Sequence, residues 1–276
     1  MFFYIFASDL KDEKLMLKQI ALTFFAIFGI TTVSNAQLAH EIGLIFGPVA
    51  FQSDYGQRND QSTNIGNTGF GIGAVHWLNF SSAANGNEYF NEHFKIRSEI
   101  SFSKTDFQHF GRWVEGKPSV TKEKLKAMSG KTFLFNVGTQ LNYSPFTTIH
   151  EFEKYVGSFY PYLSLGIMAS YYDTQANSSL GRLGTPATTP DKYLIPSEGN
   201  QYGFSTESGL TISALLGVGV QYKLNEMNDL LFEIRYQGFN SDWIDGLNPN
   251  RDLYKENKAK DSQVWFNFGY SHYLEF

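Results

Sequence analysis

The chain has 276 residues, no cysteine and a formal net charge of −5 at pH 7. The lack of cysteine excludes disulfide bonds, zinc sites built on cysteine, cysteine nucleophiles and a lipoprotein anchor, and the acidic balance argues against a nucleic-acid-binding surface. Aromatic residues make up 17% of the chain, yet its mean hydropathy of −0.27 is that of a polar protein. Both features are typical of a transmembrane β-barrel, which combines an apolar outer wall with a polar lumen and polar loops.

Residues 1–36 have the pattern of a secretory signal region. An apolar run at 19–33 follows Lys18 and ends before a small-x-small triplet, the form of a signal-peptidase site. The run is shorter than the roughly 20 apolar residues of a transmembrane helix; the alternative is a buried N-terminal helix. We expect translation to start at Met16, with residues 1–15 upstream of it, and cleavage to leave an outer-membrane barrel of residues 37–276.

Eight segments of the mature chain alternate apolar and polar residues with a period of two, as β-strands do. They are longer than the 5 or 6 residues usual in globular proteins, and their length suits tilted strands that cross a bilayer. The segments are 38–51, 69–80, 94–107, 131–143, 159–173, 209–224, 228–239 and 263–276. We therefore predict an all-β fold, an eight-stranded antiparallel transmembrane β-barrel in up-and-down meander order, in which the last strand closes onto the first.

The alternation also predicts which face of each strand meets lipid. In the third segment Phe94, Ile96 and Ile100 lie on one face, and charged residues lie on the other. A barrel of eight strands has an interior just wide enough for side chains to fill. We expect lumenal ion pairs rather than a pore, since a solute channel needs more strands. The residues expected to form them are Glu41, Lys95, Arg97, Glu99, Lys223, Glu233 and Arg235.

The connections are expected to differ between the two ends of the barrel, because such barrels have short periplasmic turns and longer outer loops. With the N-terminus in the periplasm, the outer connections are 52–68, 108–130, 174–208 and 240–262. The inner connections are 81–93, 144–158 and 225–227, of which 144–158 is long for its side.

Two stretches resemble catalytic or nucleotide-binding features. The glycines at 66–73 lack the spacing, helix and acidic residue of a dinucleotide site, so we interpret them as barrel glycines that make room for large lumenal neighbours. His109 is the only histidine expected near hydroxyl and carboxylate groups outside the membrane, those of Ser103 and Asp106. Because no nucleophile motif surrounds it, a rim enzyme is the alternative and not the leading hypothesis.

Two outer segments, around 53–60 and 241–248, are rich in acidic residues. Closure of the barrel places their loops side by side, together with Arg58 and Trp243. Oxygen-rich loops of this kind bind calcium or dock a partner, although Asp-Gly and Asn-Pro pairs are also ordinary turn chemistry. The expected acidic patch consists of Asp54, Asp60, Asp242 and Asp245.

Several motifs of the mature chain resemble a known family. These are QLAHEIG at 37–43, GPVAFQSDYGQR at 47–58, GNTGFGIG at 66–73, DWIDGLN at 242–248 and WFNFGY at 265–270. They resemble a family of small outer-membrane β-barrel proteins from Bacteroidota, and at a greater distance the PorG-like barrels associated with type IX secretion and gliding motility. The resemblance covers most of the mature chain except 174–208. It implies a place in the outer membrane, contact with its lipid, and envelope or secretion-machinery proteins as partners.

The sequence thus predicts a non-enzymatic barrel with a structural or accessory role, which acts through its outer loops or docks an envelope assembly. The alternative is a rim-located lipid-modifying enzyme or a barrel that binds a small ligand. We expect no cofactor, catalytic residue or nucleotide site. Some relatives carry the name glutamate dehydrogenase, but the chain has neither the nucleotide fingerprint nor the two-domain layout of that enzyme.

Overall fold

A computed structural model describes residues 38–57, 60–81, 87–255, 257 and 259–274. The expected signal region lies outside these residues. Long strands make up most of the described chain. They are β1 Ala39–Gln52, β2 Thr68–Asn79, β3 Phe94–Gln108, β4 Met128–Tyr143, β5 Phe159–Ser178, β6 Ser208–Asn225, β7 Asn228–Phe239 and β8 Ser262–Leu274.

The strands form one closed barrel in the order β1 to β8. Each strand pairs antiparallel with its neighbour in sequence, and β1 also pairs antiparallel with β8, where Phe46 lies opposite Phe268. Closure leaves no unpaired sheet edge, which a strand in lipid could not tolerate. The predicted eight-stranded antiparallel meander and its closing strand are therefore confirmed.

One hairpin extends further than the alternation predicted. β4 begins at Met128 rather than 131, and β5 continues to Ser178 rather than 173. Met128 and Ser178 lie opposite each other, so the two extensions stabilise one another across the sheet. Backbone pairing of this kind needs no apolar face, and for this reason the hydropathy pattern did not reveal it.

Short helices lie in the connections between the strands. They are α1 Gln61–Gly66, α2 Glu88–His93, α3 Val120–Ala127 and α4 Ile149–Lys154. Each is preceded by a residue whose side chain accepts a hydrogen bond from a first-turn amide, namely Asp60, Asn87, Ser119 and Thr148. Among the described helices, none is long and apolar enough to cross a membrane.

The outer wall of the barrel is apolar and its interior is polar. On β5 the side chains of Leu163, Leu165 and Ile167 are exposed, while Ser164 between them is buried. The same alternation runs around the barrel and leaves a belt of exposed aliphatic and aromatic residues. Such a surface is costly in water and suits the hydrocarbon core of a bilayer, which confirms the predicted facing of the strands.

Charged side chains fill the lumen as a paired network. Arg97 donates to Glu99 at 2.7 Å and to Glu233 at 3.0 Å, and Arg235 donates to Glu99 at 2.6 Å. Nearer the short-loop end, two further pairs are Lys95 with Glu41 at 2.7 Å and Lys223 with Asp229 at 3.2 Å. All of these side chains are buried. The predicted lumenal ion pairs are confirmed, and the network gains one residue that was not expected, Asp229.

The strand glycines make room for large lumenal side chains, as interpreted from the sequence. A Cβ atom built on Gly71 would lie 2.6 Å from the indole ring of Trp265, closer than atoms can approach. Trp265 is buried and packs against the Arg235 guanidinium, 4.7 Å from the ring centroid. The glycine therefore leaves space for a ring that covers part of the charged network.

The long connection at 144–158 closes the short-loop end of the barrel. Its helix α4 carries Ile149 and Phe152, both fully buried. The Phe152 ring lies 5.4 Å from Nζ of Lys95 and 5.3 Å from Nζ of Lys223. It therefore covers these two amino groups at the short-loop end of the lumen. The unusual length of this turn is thus explained by a plug that the chain folds back into the lumen.

We predict that Leu165→Arg, within the apolar belt, lowers the free energy of unfolding from a lipid bilayer by about 2–4 kcal/mol, because a guanidinium group would lie in hydrocarbon. Leu253→Arg is the matched control: Leu165 is 65% exposed and Leu253 63%, but Leu253 lies in an outer connection. Urea titration in vesicles measures both. If both variants lost the same free energy of unfolding, the assignment of the apolar strand faces to lipid would be contradicted.

We also predict that Glu99→Gln costs about 3–5 kcal/mol of unfolding free energy, because Arg97 and Arg235 then share the single carboxylate of Glu233 in a buried site. Asp106→Asn is the control. Asp106 lies 3.5 Å from Lys104 and 3.8 Å from Lys131 on the exposed face, where a pair contributes about 0–1 kcal/mol. The same urea titration would refute a buried network if both substitutions lowered the free energy of unfolding by the same small amount.

Candidate functional site

The four long connections fold together into a cap over one end of the barrel. We define this cap as residues 53–67, 109–127, 179–207 and 240–261, excluding the residues that are not described. Buried side chains from all of these connections and from the adjoining strand ends pack as one apolar cluster. Its buried members are Phe51, Tyr55, Phe107, Val114, Leu125, Met128, Leu134, Tyr193, Phe239, Ile244 and Leu247.

Tyr55 lies at the centre of the cap. Its ring stacks on Phe107 at a centroid distance of 5.4 Å and lies 4.8 Å from His109. Burial raises the pKa of Tyr55 well above its usual value, and the nearby carboxylates of Asp245 and Asp54 raise it further. Tyr55 therefore stays neutral and joins the first connection to the second.

Asp245 holds two connections together. Its Oδ2 accepts a hydrogen bond of 2.6 Å from the Asp54 amide, and its Oδ1 accepts one of 2.7 Å from the Leu247 amide. The side chain is fully buried, and burial followed by the charge of Asp54 raises its pKa well above the usual range. The predicted neighbourhood of the first and fourth outer connections is confirmed by this contact.

Asp242 is buried too, and it pairs with Arg251 at 3.0 Å. Glu198 from the third connection lies 3.5 Å from the same guanidinium. A further carboxylate that the sequence analysis missed, Asp261, accepts from the Ile244 amide at 3.0 Å. An Asp-rich turn was visible in the sequence, but only the fold shows which amides its carboxylates bind.

The expected acidic patch is therefore only partly a surface. Asp54 is half-buried and Asp60 uses its side chain to cap α1, accepting from the Ser62 amide at 3.0 Å. Asp242 and Asp245 are 2% and 0% exposed and bind groups of the cap, so only Asp54 and Asp60 of the expected patch are partly exposed. Docking of a partner at the patch stays a prediction. Trp243 is half-buried beside Asp242 and Asp245, and Arg58 lies outside the described residues.

In the part of the chain that the structure describes, no group of three or more histidine or carboxylate side chains is arranged to hold a metal ion. Calcium binding by Asp54, Asp60, Asp242 and Asp245 stays a prediction.

His109 does not assemble with the partners expected of a rim enzyme. Ser103 is buried in the lumen, whereas Asp106 lies on the outer face of β3 beside Lys104 and Lys131. The imidazole packs between the rings of Tyr55 and Tyr193 instead. The expected proximity of His109 to both groups is wrong, because residues three apart on a strand point to opposite faces.

The His109 side chain is 7% exposed, and its Nε2 has no hydrogen-bond partner among the described residues. Burial, followed by the charge of Lys192, lowers its pKa to about 3, while a hydrogen bond with the Tyr55 backbone acts in the opposite direction. His109 is therefore neutral at physiological pH.

A cavity of about 1080 Å³ lies within the cap. We call it the cap cavity. Each of the four outer connections contributes to its wall, so no single stretch of sequence could have indicated it. The lining residues used below are Ser53, Asp54, Gln57, Asp60, His109, Arg112, Trp113, Thr121, Asp191, Lys192, Tyr254 and Lys255.

No family model matches the sequence, and no curated protein matches it. Similar solved structures include Ail, the attachment invasion locus protein of Yersinia pestis, at 12% identity over 86% of this chain and 99% of that chain, with a TM-score of 0.41. Neisserial surface protein A is 11% identical over 84% and 96%, with a TM-score of 0.43.

A major outer membrane protein from Thermus thermophilus is 11% identical over 86% of this chain and 100% of that chain, with a TM-score of 0.47. Eight strands also make the smallest barrels of the outer-membrane type. The closed barrel of eight antiparallel strands and its apolar outer wall give the chain the architecture of outer-membrane barrels. Its relation to a Bacteroidota family or to PorG-like barrels stays a prediction.

We predict that His109→Gln removes a pH dependence from the stability of the protein. The folded pKa of about 3 lies below the ordinary value of 6.5. The contribution of the neutral His109 imidazole to the free energy of unfolding is thus fully present above pH 6.5 and is lost as the pH falls toward 3. Relative to the variant, the free energy of unfolding of the wild type should fall by about 1.4 kcal/mol for each unit by which the pH falls in this window. Urea unfolding at a series of pH values tests this prediction. If the free energies of unfolding of the wild type and the variant change in parallel with pH, the prediction is contradicted.

Proposed function

We propose that the protein is a non-enzymatic outer-membrane barrel with an accessory role, which it performs through its cap. The observation that carries this proposal is the packed cluster within the cap. Loops that serve only to connect strands need no core of their own, whereas loops that bind are positioned by a rigid scaffold. The cap faces outward in this proposal because longer loops are typical of the extracellular side.

The lumen supports a role as an anchor rather than as a channel. Ion pairs between Arg97, Glu99, Glu233 and Arg235 occupy its middle, and Phe152 closes the short-loop end. Hydrogen-bonded ion pairs that cross the lumen in this way favour a rigid barrel. Such a barrel holds the cap at a fixed height above the bilayer.

The alternative of a rim enzyme receives less support. The candidate base considered above, His109, packs at a tilt between Tyr55 and Tyr193, and Ser103 lies in the lumen. A general base must come within hydrogen-bond reach of the group that it activates. The second alternative, a barrel that binds a small ligand, is favoured by the cap cavity and is developed below.

For the accessory role we propose that the cap docks a protein of the cell envelope, such as a component of a secretion or gliding assembly. Large apolar side chains are exposed on the cap, outside the membrane belt, where burial against a partner would be favourable. They are Ile65, Trp113, Val120, Leu180 and Leu253.

We predict that Val120→Asp combined with Leu253→Asp reduces the recovery of envelope partners at least tenfold after cross-linking in intact cells and affinity purification. Phe146→Asp is the control, since Phe146 is highly exposed but lies at the short-loop end. The difference between unheated and boiled samples on gels verifies that each barrel is folded. Equal recovery from the double variant, or no partner with the wild type, would refute docking through the cap.

A further inference from the structure

The cap cavity has a balanced wall. Among the residues that the structure describes, three acidic side chains line it, Asp54, Asp60 and Asp191, together with three cationic ones, Arg112, Lys192 and Lys255. His109 adds a neutral imidazole. A ligand with a large net charge would meet like charges wherever it gained opposite ones, and a hydrocarbon chain would strip water from charged groups without replacing its hydrogen bonds. The wall therefore favours a ligand that is polar and carries no net charge.

Two aromatic rings form part of the apolar wall, beside Leu125, Pro190 and Pro249. Trp113 is 43% exposed and is held beside Arg112, whose guanidinium lies 4.7 Å from the ring centroid. Tyr254 lines the wall from the fourth connection. Rings with one apolar face and a polar neighbour suit ligands that present both C–H and O–H groups. The two rings come from different connections, so the ligand site exists only when the cap is assembled.

Hydrogen-bond donors and acceptors both line the wall of the cap cavity. Carboxylates accept, the guanidinium and ammonium groups donate, and the Gln57 amide does both. Hydroxyl groups match such a mixture because each one donates and accepts.

The volume of about 1080 Å³ lies slightly above the roughly 300–1,000 Å³ usual for ligand pockets and leaves room for an oligosaccharide. We propose that the cap cavity binds an uncharged saccharide. The sugar comes either from solution or from the headgroup of an outer-leaflet glycolipid. The inference rests on the proposed function in placing the cap outside the membrane, and it does not depend on a protein partner.

The test applies purified protein in detergent to an array of neutral and acidic oligosaccharides, and then titrates the strongest neutral ligand by calorimetry. We expect neutral members to bind, and Trp113→Ala to weaken the affinity about tenfold or more. Tyr254→Ala should also weaken it, whereas Tyr155→Ala, an exposed tyrosine at the short-loop end, should leave it unchanged. No partner protein is present, so failure here is distinct from failure of docking.

A second variant, Thr121→Trp, guards against simple misfolding of the cap, because it adds bulk to the wall and leaves the other lining groups as they are in the wild type. It should also weaken binding. Repeating the titration in nanodiscs with lipopolysaccharide distinguishes the sources: competition assigns the site to the glycolipid, and its absence to a free saccharide. The proposal is overturned if no oligosaccharide binds, if acidic members bind better than neutral ones, or if Trp113→Ala and Thr121→Trp both bind like the wild type.

Discussion

The pairing of charges inside a narrow lumen is the constraint on which the structure depends. Eight strands enclose a space that side chains must fill, and the outward apolar face of each strand leaves its polar face to fill it. Arg97 and Arg235 are buried, and their contacts with Glu99 and Glu233 come from strands on opposite sides of the barrel. Each carboxylate thus joins distant parts of the sheet, and the loss of either one leaves two buried cations to share a single carboxylate.

Both ends of this lumen are closed by the chain itself, but in different ways. At the short-loop end a single helix contributes Phe152, which covers the amino groups of Lys95 and Lys223. At the other end four connections build the cap, with carboxylates such as Asp245 bound to backbone amides. A single helix is enough to close the short-loop end, whereas a binding surface needs several loops at fixed positions. The asymmetry therefore supports the proposal that the protein acts through its cap.

The candidate site was predicted in part. The neighbourhood of the first and fourth outer connections followed from closure, and Asp54 does contact Asp245 through its amide. The burial of Asp242 and Asp245 did not follow, since an Asp-rich turn looks the same in sequence whether its carboxylates face water or backbone amides. The cap cavity left no local signal either, because its wall combines residues such as Gln57, Trp113, Lys192 and Tyr254 from separate connections.

The sequence by itself determined the architecture: strand number, facing, meander order and the charges of the lumen. It could do so because lipid imposes a period of two on every strand, and backbone groups in lipid must pair within a closed sheet. Only the tertiary structure decided how the loops pack, which carboxylates are buried and where a ligand would fit. Loop positions depend on contacts between residues far apart in the chain, such as Tyr55 with Phe107 and His109, and these contacts follow no repeating pattern.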